Sequence, residues 1–234
     1  MVESGEVTRR GPGRPRRSEE ETEKIRRRIV DAAERTFARE GYHGVTATRV
    51  IEEAGLTRTN FYRYFRNSDE PLRIVFERVT GDLHRRIADS VGRTPYGPQR
   101  VVAGIDAYLD WSCHYRHLLP AMTADLHDPA SPVSALRKEA LESVVALLSQ
   151  DYVGGEWPVP SRSTLDILVN AIEYTCYRLY IDTEGTHDDV ARARRMMLRI
   201  ATAVLASDER WRRVAAALST PTPEPGSPGP GATT

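Results

Sequence analysis

The sequence predicts an all-α protein, in which a small N-terminal three-helix domain precedes a larger helical domain. Apolar residues recur at intervals of three or four through most of the chain, and glycines and prolines separate the runs. No segment shows the sustained alternation of a strand between hairpin turns. With 40% hydrophobic and 28% charged residues among 234, the chain can bury a core beneath a charged surface.

The helices are predicted from the apolar runs and from the residues that interrupt them. Gly41 is a good C-terminal stop, since glycine tolerates left-handed backbone angles, and Gly55 is a breaker that makes a tight turn with Leu56. Later breaks fall at residues 92–98, at the prolines of 129–132, at 154–160 and at Gly185. The predicted helices are 19–40, 46–54, 58–65, 69–91, 99–116, 118–126, 131–151, 162–183, 188–206 and 208–218.

The first of these helices carries an apolar stripe at helical spacing, which most simply indicates a face buried in the core. Charged residues occupy its other faces. The stripe consists of Ile25, Ile29, Ala32, Ala33 and Phe37.

Residues 46–65 read TATRVIEEAGLTRTNFYRYF and predict two short helices joined by a glycine turn. Thr46 and Thr57 are suitable N-caps, and Phe61 and Phe65 lie four apart on one side. This is the helix-turn-helix arrangement, whose second helix enters the major groove of DNA. Arginine pairs with guanine and asparagine with adenine, and tyrosine hydroxyls suit phosphates. Tyr62 and Tyr64 are expected to pack their rings on the core with their hydroxyls outward, although they could simply cover the core. The side chains available to face outward are Arg58, Thr59, Asn60, Tyr62 and Arg63.

Over residues 25–79 the chain resembles the DNA-binding domain of the tetracycline-repressor (TetR) family. The resemblance lies in the first helix ending at Arg39-Glu40-Gly41-Tyr42, in the Ala54–Thr57 turn, in the tract 61–65, and in Ser68-Asp69-Glu70, read as the cap of a fourth helix. It implies that Thr46, Thr57, Tyr62 and Tyr64 touch the DNA backbone and that Arg58, Thr59 and Asn60 approach bases. Thr48, Arg49 and Arg63 of the same module are also expected to bind DNA.

Two positions depart from the family pattern. The family often has lysine where this chain has Asp69, which puts one contact with the DNA backbone in doubt. It often has glycine where Thr59 stands, which suggests a base preference particular to this chain.

The charge distribution agrees with DNA binding, although the net charge is zero. Residues 1–66 contain 15 Lys/Arg and 11 Asp/Glu, a net charge of +4, and the rest of the chain carries a net charge of −4. Residues 1–18 are predicted to be a disordered basic arm, whose Arg14 and Arg16 flank Pro15 as in arms that enter the minor groove. A merely solubilising tail is the alternative. Residues 220–234, with five prolines, are predicted to be a disordered tail.

The predicted domains are the helix-turn-helix domain, 19–68, and an effector-binding and dimerisation domain, 69–219. The resemblance implies a ligand cavity and a dimer in which the last two long helices pair with their copies. These two helices carry apolar stripes, Leu165 to Leu179 and Val190 to Val204, which could form either such a dimer interface or an ordinary core. A few positions, Ile105–Tyr108 and Asn170, also resemble the branch that includes the ethionamide-resistance repressor.

Aromatic side chains with a few polar groups suit a small apolar molecule, although such residues more often form core. The residues predicted to bind it are Tyr108, Trp111, His114, Tyr115, Met122, Asn170, Glu173, Tyr174 and Tyr177.

No cofactor and no metal site is expected. His114 and His117 lie three apart, but no carboxylate or cysteine pattern completes a zinc site. Cys113 and Cys176 are expected to be reduced, buried thiols. The N-terminus lacks the apolar stretch of a signal peptide and no run approaches 18 apolar residues, so a cytoplasmic protein without a membrane span is expected.

The sequence therefore favours a ligand-responsive DNA-binding regulator. We expect a repressor that binds a near-palindromic operator as a homodimer and is released by a small apolar effector. An architectural DNA-binding protein with weak sequence specificity is one alternative. A helical enzyme is the other, but the chain lacks a nucleophile elbow, a phosphate-cradling glycine loop and HExxH.

Overall fold

The computed structural model describes residues 18–95, 98–124, 132–152 and 160–205. The predicted helix 208–218, the basic arm through Arg17 and the C-terminal tail lie outside the described residues. Within the described residues every regular element is a helix, as predicted. The helices are α1 (Glu19–Gly44), α2 (Ala47–Ala54), α3 (Arg58–Tyr64), α4 (Asp69–Gly92), α5 (Pro98–His114), α6 (Leu119–Ala124), α7 (Pro132–Tyr152), α8 (Arg162–Asp182) and α9 (His187–Leu205).

The chain divides into two compact units that do not follow the order of the sequence. The first contains residues 1–85 and 111–140, and the second contains residues 86–110 and 141–234. The divisions fall inside α4, α5 and α7, so each of these helices contributes residues to both units.

Helix α1 supplies the core of the first unit, as its apolar stripe predicts. Ile29, Ala32, Ala33 and Phe37 are fully buried, whereas Ile25 is half-buried. Ser18 caps the helix by accepting from the N–H of Glu21. The helix is interrupted at Gly41, whose φ of 67° is open to glycine but costly for other residues.

Helix α4 packs on α1 through the edge-to-face pair of Phe37 and Phe76, whose ring centroids lie 5.1 Å apart. The expected cap of α4 was wrong in detail. Asn67, not Ser68, accepts from the N–H groups of Asp69 and Glu70, at 3.1 Å each. Its side-chain carbonyl satisfies two free helix donors at once, which accounts for its use here.

The end of α5, from Trp111, and helix α6 complete the first unit with a buried aromatic cluster. Trp111 Nε1 donates to the carbonyl of Val79 on α4 at 3.0 Å, and the Trp111 and Tyr115 rings lie 5.6 Å apart. Leu118 is fully buried, and α6 packs against α1. The polar indole donor is thereby satisfied inside an apolar core, where an unpaired N–H would be costly.

The second unit is built on α8 packed against α9. Leu165, Leu168 and Leu179 are buried as the stripe predicts, whereas Ile172 is only half-buried. Arg194 on α9 donates to both oxygens of Asp106 on α5, at 2.6 and 2.9 Å. This bidentate pair raises the pKa of Arg194 above its ordinary value and joins α5 to α9.

The two cysteines differ in their surroundings. Cys176 is buried on α8, as expected, but Cys113 is exposed, so that expectation was wrong for Cys113. Cys113 lies on the outer side of α5, where its neighbours Trp111 and Ser112 take the buried positions. Neither cysteine forms a disulfide.

Candidate nucleic-acid interface

Helices α2 and α3 form a helix-turn-helix unit whose geometry is set by a glycine. Gly55 has φ 59° and ψ 41°, a left-handed conformation that ends α2. The N–H of Leu56 then donates to the carbonyl of Ile51 at 3.1 Å. The turn that the sequence predicts at this position is therefore present, with α3 beginning three residues after the glycine.

Two threonines cap the paired helices. Thr46 Oγ1 accepts from the N–H of Arg49, and Thr57 Oγ1 accepts from the N–H of Asn60, both at 3.3 Å. Each hydroxyl acts as acceptor in its cap, which leaves its O–H free to donate. Both threonines are exposed, so these O–H groups can reach a phosphate oxygen.

The buried side of α3 is aromatic. Phe61 is fully buried and Phe65 is 3% exposed, with their ring centroids 6.1 Å apart. The guanidinium of Arg26 on α1 lies 5.3 Å from the centroid of Phe65, a cation–π distance. Both aromatic anchors predicted from the sequence therefore fix which face of α3 turns inward.

The outward face of α3 presents the side chains expected there. Arg58, Thr59 and Arg63 are exposed, and Asn60 and Tyr64 are half-buried. Tyr62 is 52% exposed while its ring packs edge-to-face on Phe61, so it both covers the core and reaches outward. The outward face of α3 thus carries hydrogen-bond donors and acceptors, while Phe61 and Phe65 pack its opposite face into the core.

The arginines of this module fall into two groups. Glu53 accepts from Arg35 at 2.7 Å and from Arg39 at 3.3 Å, while Glu40 contacts Arg39 and Arg49. These arginines are compensated by acids within the protein. A DNA phosphate would therefore compete with Glu40 for Arg49, a constraint that the sequence-based expectation for Arg49 missed.

Arg58 and Arg63 belong to the other group, because the described residues give neither of them a carboxylate partner. Arg58 Nη2 donates to the Thr48 hydroxyl at 3.2 Å. Both cations therefore keep an uncompensated charge on the outward side of α3. Arg14 and Arg16, the predicted arm residues, lie outside the described residues.

At the start of α4, Asp69 stands where the sequence raised doubt about a contact with the DNA backbone. Its carboxylate accepts from the Tyr42 hydroxyl at 3.4 Å. The two groups join the end of α1 to the start of α4. Residue 69 therefore places an acidic side chain, and not a cation, at this position.

The residues predicted to bind a ligand are divided between the two units. In the first, Trp111 and Tyr115 are buried, Met122 is half-buried, and the exposed His114 packs its ring edge on Tyr115. In the second, Tyr108, Glu173 and Tyr177 are half-buried, whereas Asn170 and Tyr174 are exposed. Asn170 donates to the carbonyl of Asp166 at 2.7 Å.

An exposed apolar stripe lies on α8, and the sequence-based reasoning missed it. Ile167, Tyr174 and Ile181 are 62%, 58% and 48% exposed and stand seven residues apart. Residues at this spacing share one side of a helix. Met196 on α9 is also 48% exposed. The seven-residue repeat was the signal that could have revealed the stripe.

Neither a membrane span nor a metal centre is found in the part of the chain that the structure describes. Its helices are too short or too polar to cross a membrane. Its His, Cys, Asp and Glu side chains form no group of three that could hold a metal. His117, one of the two histidines considered for such a site, instead contacts Glu34 at 3.0 Å.

Residues 29–70, which contain the whole helix-turn-helix unit, match the family described as bacterial regulatory proteins, tetR family. Residues 29–70 of this chain therefore carry the TetR-family N-terminal domain. The match covers the first helix from Ile29 onward and ends at Glu70 in α4.

Two curated relatives of the chain carry the description HTH-type transcriptional regulator. YfiR, an uncharacterised HTH-type transcriptional regulator of Bacillus subtilis, is 28% identical over 127 residues, 54% of this chain and 55% of YfiR. TtgR, an HTH-type transcriptional regulator of Pseudomonas putida, is 36% identical over 77 residues, 32% of this chain and 37% of TtgR. The chain thus spans about half of the first relative and less of the second.

A solved structure extends the likeness in fold beyond the matched domain. The transcriptional regulator FadR of Bacillus subtilis, in complex with stearoyl-CoA, superposes with a TM-score of 0.62 at 17% identity. The superposition covers 77% of this chain and 97% of FadR. At this identity the likeness shows a shared fold.

Proposed function

We propose that this TetR-family chain is a ligand-responsive transcriptional repressor that binds a near-palindromic operator as a homodimer and is released by a small apolar effector. One observation carries the proposal: α3 is anchored through Phe61 and Phe65 and turns Arg58, Asn60 and Arg63 outward. These side chain types read guanine and adenine edges in the major groove. Because DNA is the partner, the proposed place of action is the cytoplasm.

In this proposal the contacts divide by what they recognise. Arg58, Thr59 and Asn60 reach base edges, and Arg63 lies beside them. The DNA backbone is held by the hydroxyls of Thr46, Thr57, Tyr62 and Tyr64, with Thr48 and Arg49 nearby. The arm residues Arg14 and Arg16 would add minor-groove contacts, and deletion of residues 1–17 should flatten the salt dependence of affinity.

The dimer is proposed to form on the α8–α9 pair. The exposed Ile167, Tyr174 and Ile181 give α8 an apolar side that a second copy can cover. Two α8–α9 pairs would make a four-helix bundle. A two-fold dimer places its recognition helices about 34 Å apart, one turn of DNA, and so requires a near-palindromic site.

The effector is proposed to bind among the aromatic residues that follow α4 in the chain. This proposal keeps the predicted boundary between a DNA-binding domain, 19–68, and an effector-binding and dimerisation domain, 69–219. The exposure of Tyr174 and Asn170 on α8 favours the dimer face for these two residues. Within the second unit, the half-buried Tyr108, Glu173 and Tyr177 suit a lining role better. Within the first unit, Trp111 and Tyr115 are buried in the core. The effector shifts the equilibrium only if it binds the released state more tightly.

Selection of bound duplexes from a random pool tests the DNA-binding part of the proposal. We expect a two-fold symmetric consensus whose half-sites are about one helical turn apart. An architectural protein would instead enrich no consensus and show a small ratio of specific to nonspecific affinity. Absence of any preferred duplex at moderate salt would remove the proposed function.

The effector part is tested on the protein–operator complex. Stearoyl-CoA is the first probe, because FadR, which shares the fold, was solved with it. Free coenzyme A is the matched control, since it lacks the apolar chain. Release of the operator by stearoyl-CoA and not by coenzyme A would support an apolar acyl effector, whereas tighter binding would reverse the assigned sign of regulation.

A catalytic role is the remaining alternative, and we propose that the chain has none. Its family and its curated relatives are regulators. Turnover of a probe such as stearoyl-CoA in the presence of the protein would contradict this part of the proposal.

A further inference from the structure

The first residue of the recognition helix is held by its partner helix. Arg58 begins α3 and is exposed, and its Nη2 donates to the hydroxyl of Thr48 on α2 at 3.2 Å. Thr48 is also exposed and stands ten residues earlier, across the Gly55 turn. An exposed arginine would ordinarily sample many rotamers, so this bond gives its guanidinium a defined place.

The partner of the Arg58 guanidinium is a neutral hydroxyl and not a carboxylate. A cation in the first turn of a helix is disfavoured by the helix dipole, and an acidic neighbour would be the usual compensation. Arg35, Arg39 and Arg49 of the same module do pair with glutamates. Arg58 has no carboxylate partner among the described residues, so it is oriented without being neutralised.

The remaining donors of Arg58 suit a base edge. A guanidinium carries five N–H donors in one plane, and one of them is used on Thr48. The rest still allow a bidentate bond to the O6 and N7 atoms of guanine. Since the side chain is already partly ordered, less conformational freedom is lost when it binds.

We infer that Thr48 is a positioning residue for base readout, which holds the Arg58 guanidinium in place for a guanine. This inference rests on the proposed function. It differs from the expectation that Thr48 itself touches DNA, and the two have different consequences. If Thr48 positions Arg58, the Thr48 hydroxyl has no effect on base discrimination once Arg58 is removed. If Thr48 contacts DNA directly, its effect remains without Arg58.

The test uses the full chain, the selected operator and a set of duplexes that each replace one base pair. Arg58→Ala identifies the base pair that Arg58 reads. Thr48→Val, which removes the hydroxyl at nearly constant shape, should lower discrimination at that pair by about three- to tenfold. Thr48→Ser should keep it within about twofold, a margin smaller than the loss of one hydrogen bond.

A double-mutant cycle separates positioning from direct contact. In the Arg58→Ala background, Thr48→Val should change nothing further at that base pair. Ser143→Ala, which removes a hydroxyl at an exposed position of α7, is the control and should leave discrimination intact. Wild-type discrimination in Thr48→Val, or an undiminished effect of Thr48→Val without Arg58, would overturn the inference.

A second measurement needs no DNA. In the free protein, the Nε–H group of Arg58 should show a lower NMR order parameter in Thr48→Val than in the wild type and in Thr48→Ser. If the wild type selects no duplex, the proposed function fails, and this measurement still decides whether Thr48 orders the Arg58 guanidinium. An equally ordered Arg58 in Thr48→Val would then refute it, with circular dichroism showing that each variant is folded.

Discussion

At the scale of single residues, the outward face of α3 combines groups with different tasks. Asn60 follows the capped start of the helix and carries an amide that can pair with adenine. Tyr62 offers a hydroxyl on a ring that Phe61 supports. A side chain that reads bases changes specificity when removed, and one that holds phosphates changes affinity for every sequence.

Asn60→Ala should therefore relax discrimination at particular base pairs, by about 1–3 kcal/mol at the pair that it reads. Tyr62→Phe should weaken binding to all duplexes similarly, because only the hydroxyl is lost. Competition binding against singly substituted operators measures both. If both variants bind and discriminate like the wild type, α3 is not the recognition helix.

Glu53 on α2 accepts from two arginines of α1 and so links the two helices through charge. Hydrogen bonds from Arg35, with a further contribution from Arg39, hold the pKa of Glu53 below its ordinary value of 4.5. A carboxyl whose pKa is lowered by folding stabilises the protein above its unfolded-state pKa and loses this effect as pH falls through the folded-state pKa.

Glu53→Gln should accordingly lower the midpoint of thermal unfolding slightly at pH 7. The difference from the wild type should shrink as the pH falls below 4.5. Glu52→Gln, at the exposed neighbouring position, is the control. A difference between Glu53→Gln and the wild type that stays constant from pH 7 down to pH 3 would show that charge is not its source.

At the scale of elements, the turn between α2 and α3 depends on one backbone conformation. Gly55→Ala places a Cβ at φ 59°, a region that costs about 1–2 kcal/mol for a residue other than glycine. The new Cβ would also lie 2.9 Å from Arg28 Nη2, but this is the end of a flexible side chain and can move. The backbone should dominate the cost.

Gly81→Ala supplies the matched comparison, because Gly81 lies inside α4 with open space around the added carbon. It should stabilise the protein by about 0.5–1 kcal/mol, since alanine favours a helix. Urea unfolding of both variants measures the two effects. Equal stability changes in Gly55→Ala and Gly81→Ala would contradict the assigned role of the turn.

The sequence predicts the helices better than the contacts between them. Gly41 and Gly55 were correctly read as breakers, because a left-handed backbone is a local property of glycine. The Asn67 cap, the exposure of Cys113 and the pairing of Arg49 with Glu40 were missed. Each depends on which of several suitable partners comes near, and helical periodicity does not determine this.

At the scale of the whole molecule, the proposed repressor requires two copies on one operator. The apolar side of α8 is the surface proposed for this, and Ile167 is its most exposed large residue. A carboxylate placed there would have to be buried without a partner in a dimer, whereas in a monomer it would remain in water.

Ile167→Asp should therefore shift the protein towards a monomer while its helical content stays unchanged, as sedimentation and circular dichroism would measure. Its affinity for the symmetric operator should fall, while its binding to a single half-site should not. Ala146→Asp, at an exposed position of α7, is the control. A dimeric Ile167→Asp protein would remove the α8 side from the proposed interface.

The discontinuous composition of the first unit bears on how the recognition helix can be studied in isolation. A fragment ending at residue 85 would lack residues 111–140, and with them Trp111, Leu118 and the helix that covers α1. Apolar side chains of α1 and α4 would then meet water. Such an excised fragment should aggregate or melt at lower temperature, so a minimal DNA-binding piece of this chain has to retain both stretches.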